Sequence, residues 1–249
     1  MDVDLFELSN NHVWRVPFAI TQWSTPAPEW MLPGATSQGN ERDWIEYTHQ
    51  TYWALLNCGH RLRPSAGTAS GVHPVPLGYS RVYVHCPDGF SYANWRAGLE
   101  NGRSFVTTGP VCISEIQRDG NHARLKATAK GERPLGRIEI IVNGAVYESI
   151  DVNSTETSIE RVISLKGTTW IALRIWEPRE DGRYRFAHTS PVWFDDATKP
   201  LQPRPEQAAF LAKRVSDEIS RSRKVLPAAA IQEYQTALQK WQRMIPPTP

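Results

Sequence analysis

Two changes of rhythm along the chain predict an α/β segment, then an all-β segment, then a helical tail. Residues 1–66 read strand, long loop, helix, strand, an order that lets two strands lie parallel in one sheet. After Pro110 come short alternating strands separated by turn dipeptides. At the C-terminal end Ile231, Tyr234, Leu238, Trp241 and Ile245 recur at helical spacing, which predicts one apolar helix stripe.

In chain order, Asp2-Val3-Asp4-Leu5-Phe6-Glu7-Leu8 alternates as a strand does and ends at Ser9-Asn10-Asn11-His12. Residues 13–42 are aromatic, Pro-rich and irregular, and so long a loop is usually functional or else signals missing context. Asp43 is read as the N-cap of a helix starting at Trp44, with Glu46 completing a capping-box-like pair. Tyr52–Cys58 is apolar on more than one face and Gly59 stops it, because Gly takes the left-handed cap conformation without strain. Arg61–Ala66 reads as a short strand, and Gly67–Gly78 as a Gly/Pro loop. Arg81–His85 is a strand, Phe90–Leu99 a short helix, and Ser104–Thr108 a last strand before Gly109-Pro110.

From Val111 to Phe194, Asp119-Gly120 and Asn143-Gly144 are hairpin-type dipeptides. Leu125, Ala127 and Ala129 share one face, as do Ile138, Ile140 and Val142, and again Ile171, Leu173 and Ile175. About seven strands over ~85 residues is the size of an immunoglobulin-like β-sandwich, here without a Cys–Trp–Cys pattern. A Pro-rich linker and two amphipathic helices follow. The expected domains are therefore 1–110, 111–196 and 197–249, the last a linker and helical hairpin.

Composition narrows the function. The net charge is +2 with no basic block, which argues against nucleic acid or an anionic membrane as partner. No apolar run approaches the ~18 residues of a membrane span, and no signal peptide is read at the start of the sequence. Cys58, Cys86 and Cys112 are widely spaced and read as small buried hydrophobes rather than disulfide or zinc ligands. Ten Trp is many for this length; they belong either in the core or, if exposed, on a sugar- or peptide-binding surface.

No HxH, HExxH or DxH pair, no GxSxG elbow and no phosphate-binding GxxxxGK[ST] loop occurs. His12 follows two Asn at a strand end, where α/β sheets gather ligands, and His73 sits in the Gly/Pro loop. Arg81 and Arg103 read as ion-pair or carbonyl clamps. From the residues alone no reaction follows.

The stretch LLNCGHRLRPSAGTASGVHPVPLGYSRVYVH, followed by GRSFVTTGP, resembles the C-terminal part of carbaryl-hydrolase-like (CehA/McbA-type) metallohydrolases in the polymerase-and-histidinol-phosphatase (PHP) superfamily. Leu5-Phe6-Glu7-Leu8-Ser9-Asn10-Asn11 resembles a late barrel strand of that superfamily, and Ala187–Val192 the end of its sandwich. The resemblance implies a partial PHP-type distorted β/α barrel, formed by its last strands and helices, ahead of the immunoglobulin-like sandwich. It implies phosphoester, ester or amide-type hydrolysis in the relatives, many of which are exported. It also implies a divalent metal (Zn, Mn or Fe), but only where the full ligand set is present.

Here the HxH-bearing strands would lie before Met1. In the metal-binding Gly-Ser-Asp-x-His strand, Ala69 stands in place of the Asp and Gly71 in place of the His. Candidate pocket residues are Glu7, Asn10, Asn11, His12, Ser70, His73, Arg81 and Arg103, with His12 and His73 as candidate metal ligands. Three readings follow. The chain is the C-terminal part of a metallohydrolase whose partner is the missing N-terminal barrel half. Alternatively it is a metal-site-degenerate module that binds a small molecule or carbohydrate through Trp14, Trp23 and Trp30. The third is a stand-alone hydrolase using Glu7, His12 and His73.

Overall fold

The computed structural model describes residues 3–14, 23–32, 40–69, 71 and 75–245. Among them are four α-helices and twelve strands, most of the strands antiparallel, with no closed barrel.

Strands β1 (Leu5–Ser9) and β2 (Arg63–Ala66) form a two-stranded parallel sheet, Leu5 opposite Arg63 and Glu7 opposite Ser65. The parallel arrangement is the one the strand–helix–strand order allows. Beyond them, β3 (Arg81–Val84), helix α2 (Tyr92–Glu100) and β4 (Ser104–Thr107) precede the β-rich segment.

That segment holds β5 (Val111–Asp119), β6 (His122–Lys130), β7 (Arg137–Val142), β8 (Ala145–Asp151), β9 (Glu156–Ser164), β10 (Thr169–Pro178), β11 (Tyr184–Thr189) and β12 (Val192–Phe194). They make two antiparallel sheets. One is ordered β5-β6-β9; the other runs β3-β4-β11-β10-β7-β8, with β12 also on β10. A single buried cluster draws on both, with Ala123, Leu125, Ala127 and Ala129 from one and Ile138, Ile140, Ile171, Leu173, Ile175 and Ala187 from the other. The three apolar faces expected from alternation thus meet in one core, Val142 packing at its margin.

Two turns show how local chemistry sets the register. Val142 pairs with Ala145, so Asn143-Gly144 is a two-residue loop with both φ positive, 49° and 73°. That conformation is what makes Asn-Gly a hairpin signal. In the β5–β6 hairpin Asp119 pairs with His122, so the loop is Gly120-Asn121, one residue later than Asp-Gly suggests. Strand β4 pairs with β11, Thr107 opposite Ala187. Segments on either side of Pro110 therefore share one sheet.

Two compact units result. One combines residues 1–19 and 61–200; the other combines residues 20–60 and 201–249. The second contains α1 (Glu41–Asn57), α3 (Pro205–Ser222) and α4 (Ala228–Arg243). The N-cap of helix α1 is Asn40, three residues before the expected one. Asn40 accepts from the Asp43 amide and Asp43 accepts from the Asn40 amide, both at 3.0 Å, so Asp43 is the third helical residue of the box. The helix ends at Gly59, φ +91°, with the His60 amide reaching back to the Leu55 carbonyl at 3.1 Å.

Trp23, Trp44, Tyr47, Phe210 and Leu211 form this unit's core, with Trp241 and Ile245 of the predicted stripe packed against it. Trp23 is 7% exposed and stacks on Tyr47 at 4.9 Å. Trp30 meets Phe210 edge-on at 6.2 Å. Cys58 and Cys112 are buried free thiols, whose burial pushes them up to about 11 and about 12; Cys86 is half-buried.

Candidate functional site

Strands β1 and β2 run in the same direction, so their C-terminal ends present adjacent loops, the usual place for a ligand in an α/β sheet. After β1 a 3-10 turn covers Asn11–Val13, capped by Asn10. The Asn10 side-chain oxygen accepts from the Asn11 amide at 2.6 Å and from the Ala69 amide at 3.1 Å. One amide side chain therefore ties the end of β1 to the loop after β2. The Gly67 amide donates to the Ser9 carbonyl at 2.9 Å, continuing the ladder one step past β2.

Gly67 packs close to Glu7. A Cβ there would stand 2.6 Å from the Glu7 carboxylate and 3.7 Å from the Asn10 amide nitrogen. A side chain there would have to displace the tip of Glu7. A second link anchors the following loop: Ser9 and Ser80 hydroxyls lie 2.7 Å apart, and Thr68 Oγ1 donates to the Ser80 carbonyl while accepting from its amide, both at 3.2 Å. Thr68 and Ser80 were not singled out in the sequence. Thr68 lies in the Gly/Pro loop that the sequence does single out.

Glu7, Asn10, Asn11 and His12 thus stand in and beside one turn. His12 is half-buried, and burial holds its imidazole below the ordinary range, opposed by the Glu7 carboxylate. It is neutral near pH 7 and able to accept a proton or a hydrogen bond there. Arg81 and Arg103 are exposed. Arg81 sits on edge strand β3 with its guanidinium carbon 6.0 Å from the Tyr83 ring centroid, and the Arg103 side chain passes Gly98. Among the described residues no hydrogen bond or ion pair links either to the Glu7–His12 turn. Ser70 and His73 lie outside the described residues.

The donors at hand do not fit a divalent metal. Among the described residues no three His, Cys, Asp or Glu are grouped to hold one. Ala69 has no side-chain donor atom, and its backbone amide already occupies the Asn10 side-chain oxygen. Hydrolysis through a metal-bound water requires a full ligand set.

A second polar assembly lies on the larger sheet, on the face away from the core cluster. Register places Glu139, Arg174 and His188 side by side on β7, β10 and β11. Arg174 Nε donates to Glu139 Oε2 at 2.6 Å, and Trp176 Nε1 donates to the same oxygen at 2.9 Å. His188 is fully buried, its Nδ1 2.8 Å from the Thr189 carbonyl oxygen. Burial lowers its imidazole to about 3, the Thr189 carbonyl opposing and Arg174 assisting.

The sign of the resulting pH dependence follows. Between about 3 and the ordinary value of 6.5 the unfolded chain binds a proton at residue 188 that the folded chain does not. The contribution is complete above pH 6.5 and is lost as pH falls. We expect the urea midpoint to drop from pH 7 to pH 5, with a slope of up to ~1.4 kcal/mol per pH unit from this group. His188→Gln should flatten the profile. The neutral imidazoles of His12 and His60, also lowered by burial, leave a residual slope of the same sign.

No protein-family model matches the chain, and no curated protein matches it.

Proposed function

We propose that this chain is the closing part of a PHP-type, carbaryl-hydrolase-like metallohydrolase barrel, joined to an immunoglobulin-like sandwich. In this reading the Asn10–His12 turn and the Gly67–Ala69 loop form a substrate-side wall, and the metal-holding strands belong to a missing N-terminal barrel half. The observation that carries it is the parallel pair itself. Among the described residues β1 and β2 pair only with each other. Parallel strands are normally found inside larger sheets covered on both faces, so an isolated pair calls for further strands beside it.

The order β5-β6-β9 against β11-β10-β7-β8 supports the immunoglobulin-like part of the reading, three strands facing four across a common core. The alternative of a carbohydrate surface is weakened by Trp23, whose indole is spent on Tyr47 in a core.

Metal analysis and hydrolysis assays on the purified chain test this. We expect less than one equivalent of zinc, manganese or iron and no turnover of p-nitrophenyl phosphate or p-nitrophenyl acetate. Co-expression with a polypeptide supplying strands that carry an HxH pair should give a co-purifying complex that holds metal. A full equivalent of metal in the chain alone, lost together with hydrolysis in His12→Ala, would show a stand-alone enzyme and refute the proposal.

A further inference from the structure

The larger sheet extends past the edge of the smaller one. Strand β5 packs on β11, and the core cluster includes Cys112 of β5 and Ala187 of β11, with Phe105 of β4 only partly buried at its margin. Beyond β11 the large sheet continues through β4 to β3. These two strands form a ledge beside β5. One face of the ledge is covered: Val84 packs against Gly98 of α2, and a Cβ at Gly102 would stand 4.0 Å from Arg63 Cγ of β2. Successive strand residues face opposite ways, so Arg81, Tyr83 and Phe105 line the other face, the one that continues the core. Tyr83 lies opposite Phe105, and their rings stack at 5.1 Å. Tyr83 is 43% exposed, Arg81 is exposed, and Ile116 of β5 is half-buried.

The far margin of the two sheets is tied shut. Arg161 of β9 donates from Nε and Nη2 to Glu148 Oε1 of β8, at 2.9 and 2.8 Å. The margin at β5 is different. That strand runs for nine residues, Val111–Asp119, and among the described residues it pairs with β6 alone. It carries no Pro, no Lys and no bulge, and its first four residues carry no charge. Those are the devices that normally blunt an edge strand.

A strand added to β5 would take backbone hydrogen bonds from it and lay alternate side chains on Tyr83, Phe105 and Ile116. A second copy of this chain does not fit there, because it would bring its own β4 and β3 into the layer that the ledge already fills. Charge narrows the occupant further. Strand β4 ends at Thr107, opposite Arg81, and only residues 108–110 separate it from β5, so Arg81 stands near the start of β5. Near its end Arg118, on the same face as Ile116, is exposed, its guanidinium carbon 5.5 Å from the Phe194 ring centroid. Arg118 Nη2 donates to the Asp195 carbonyl, while the Asp195 carboxylate pairs with Arg61.

We propose that β5 and the ledge bind an extended segment of another polypeptide, one strand wide, with apolar side chains along the middle of its inward row and an acidic one at each end. This goes beyond the reading above, since it needs neither a metal nor further barrel strands. A fluorescein-labelled peptide, Asp-Thr-Val-Thr-Val-Thr-Asp with blocked ends, tests it by polarisation against the purified chain. We expect saturable binding that slows amide exchange in β5 and leaves edge strand β8 unchanged. Tyr83→Ser and Arg81→Glu, both at exposed side chains, should each weaken it about tenfold or more with unchanged circular dichroism. A peptide with Lys at both ends should bind Arg81→Glu more tightly than the parent. Val162→Ser, at a 56% exposed position on β9, should leave the Kd within about twofold. No saturable binding, an unchanged Kd in Tyr83→Ser and Arg81→Glu, or slowed exchange in β8 and not in β5 would overturn the proposal. So would a micromolar dimer in sedimentation that Tyr83→Ser dissociates, which would give the ledge to a second copy.

Discussion

Glu139→Ala is expected to cost about 3–5 kcal/mol of folding stability, the range for removing one partner of a buried ion pair. Glu139 and Arg174 keep only 5% and 2% of their side-chain surface exposed, and Nε donates to Oε2 at 2.6 Å. Without the carboxylate, a guanidinium with 2% of its side-chain surface exposed loses its 2.6 Å acceptor. Trp176 Nε1 loses its 2.9 Å acceptor at the same time. Typical domains are stable by ~5–15 kcal/mol, so the loss would lower the urea midpoint sharply or abolish the folded state. The contrast that identifies the cause is the double variant Glu139→Leu with Arg174→Met. It removes both charges and keeps the volume apolar, and it should recover most of the loss. A double variant as unstable as Glu139→Ala would mean that packing around the pair, and not uncompensated charge, sets the cost.

Leu173→Ala is the second large effect, at about 2–5 kcal/mol. Leu173 is fully buried in the middle of β10, opposite Ile140 of β7, within the cluster shared by both sheets. Truncation removes the transfer free energy of the deleted carbons and leaves a cavity that strands held by ladders on both sides cannot close. Ile113 on β5 provides the control: it is 77% exposed, and Ile113→Ala should stay within about 0.5 kcal/mol. Urea unfolding of both variants checks this, with an unchanged m-value showing that the midpoint shift reports stability alone.

What could be read ahead of the structure divides by range. Leu125, Ala127 and Ala129 declared their shared face because a strand exposes its alternate residues to one environment, and β6 is buried at every second position. Strand β10 hid half its character. Ile171, Leu173 and Ile175 were legible as one face, but Trp170, Ala172, Arg174 and Trp176 are buried too, and a mixed polar row gives no periodic sign of burial. The pairing of β4 with β11 spans some eighty residues and depends on tertiary closure, which no local pattern carries. The cap of α1 was misplaced because Asn40 and Asp43 satisfy the same box as Asp43 and Glu46, and only backbone geometry separates the two registers.

At the candidate site the legible part was the turn itself. Asn10, Asn11 and His12 at a strand end are residue types that leave a sheet and hold a turn, and they do so. The bond from Asn10 to the Ala69 amide was not legible, because it joins residues brought together by the parallel pairing of β1 and β2. Arg81 was read as an ion-pair or carbonyl clamp, and where its side chain points depends on which face the register of β3 turns outward, which the sequence does not carry.

The unit made of residues 20–60 and 201–249 is discontinuous, and this bears on how the chain emerges from the ribosome. Helix α1 is synthesised early with Trp44, Tyr47 and Ala54, yet Ala208, Phe210 and Leu211, which complete its core, follow only after residues 61–200. At ordinary elongation rates of ~5–20 residues per second that interval lasts roughly 7–30 s. For that time a row of indole and phenol rings waits in water for its partners, and the nascent chain offers a chaperone a defined aromatic target well before translation ends.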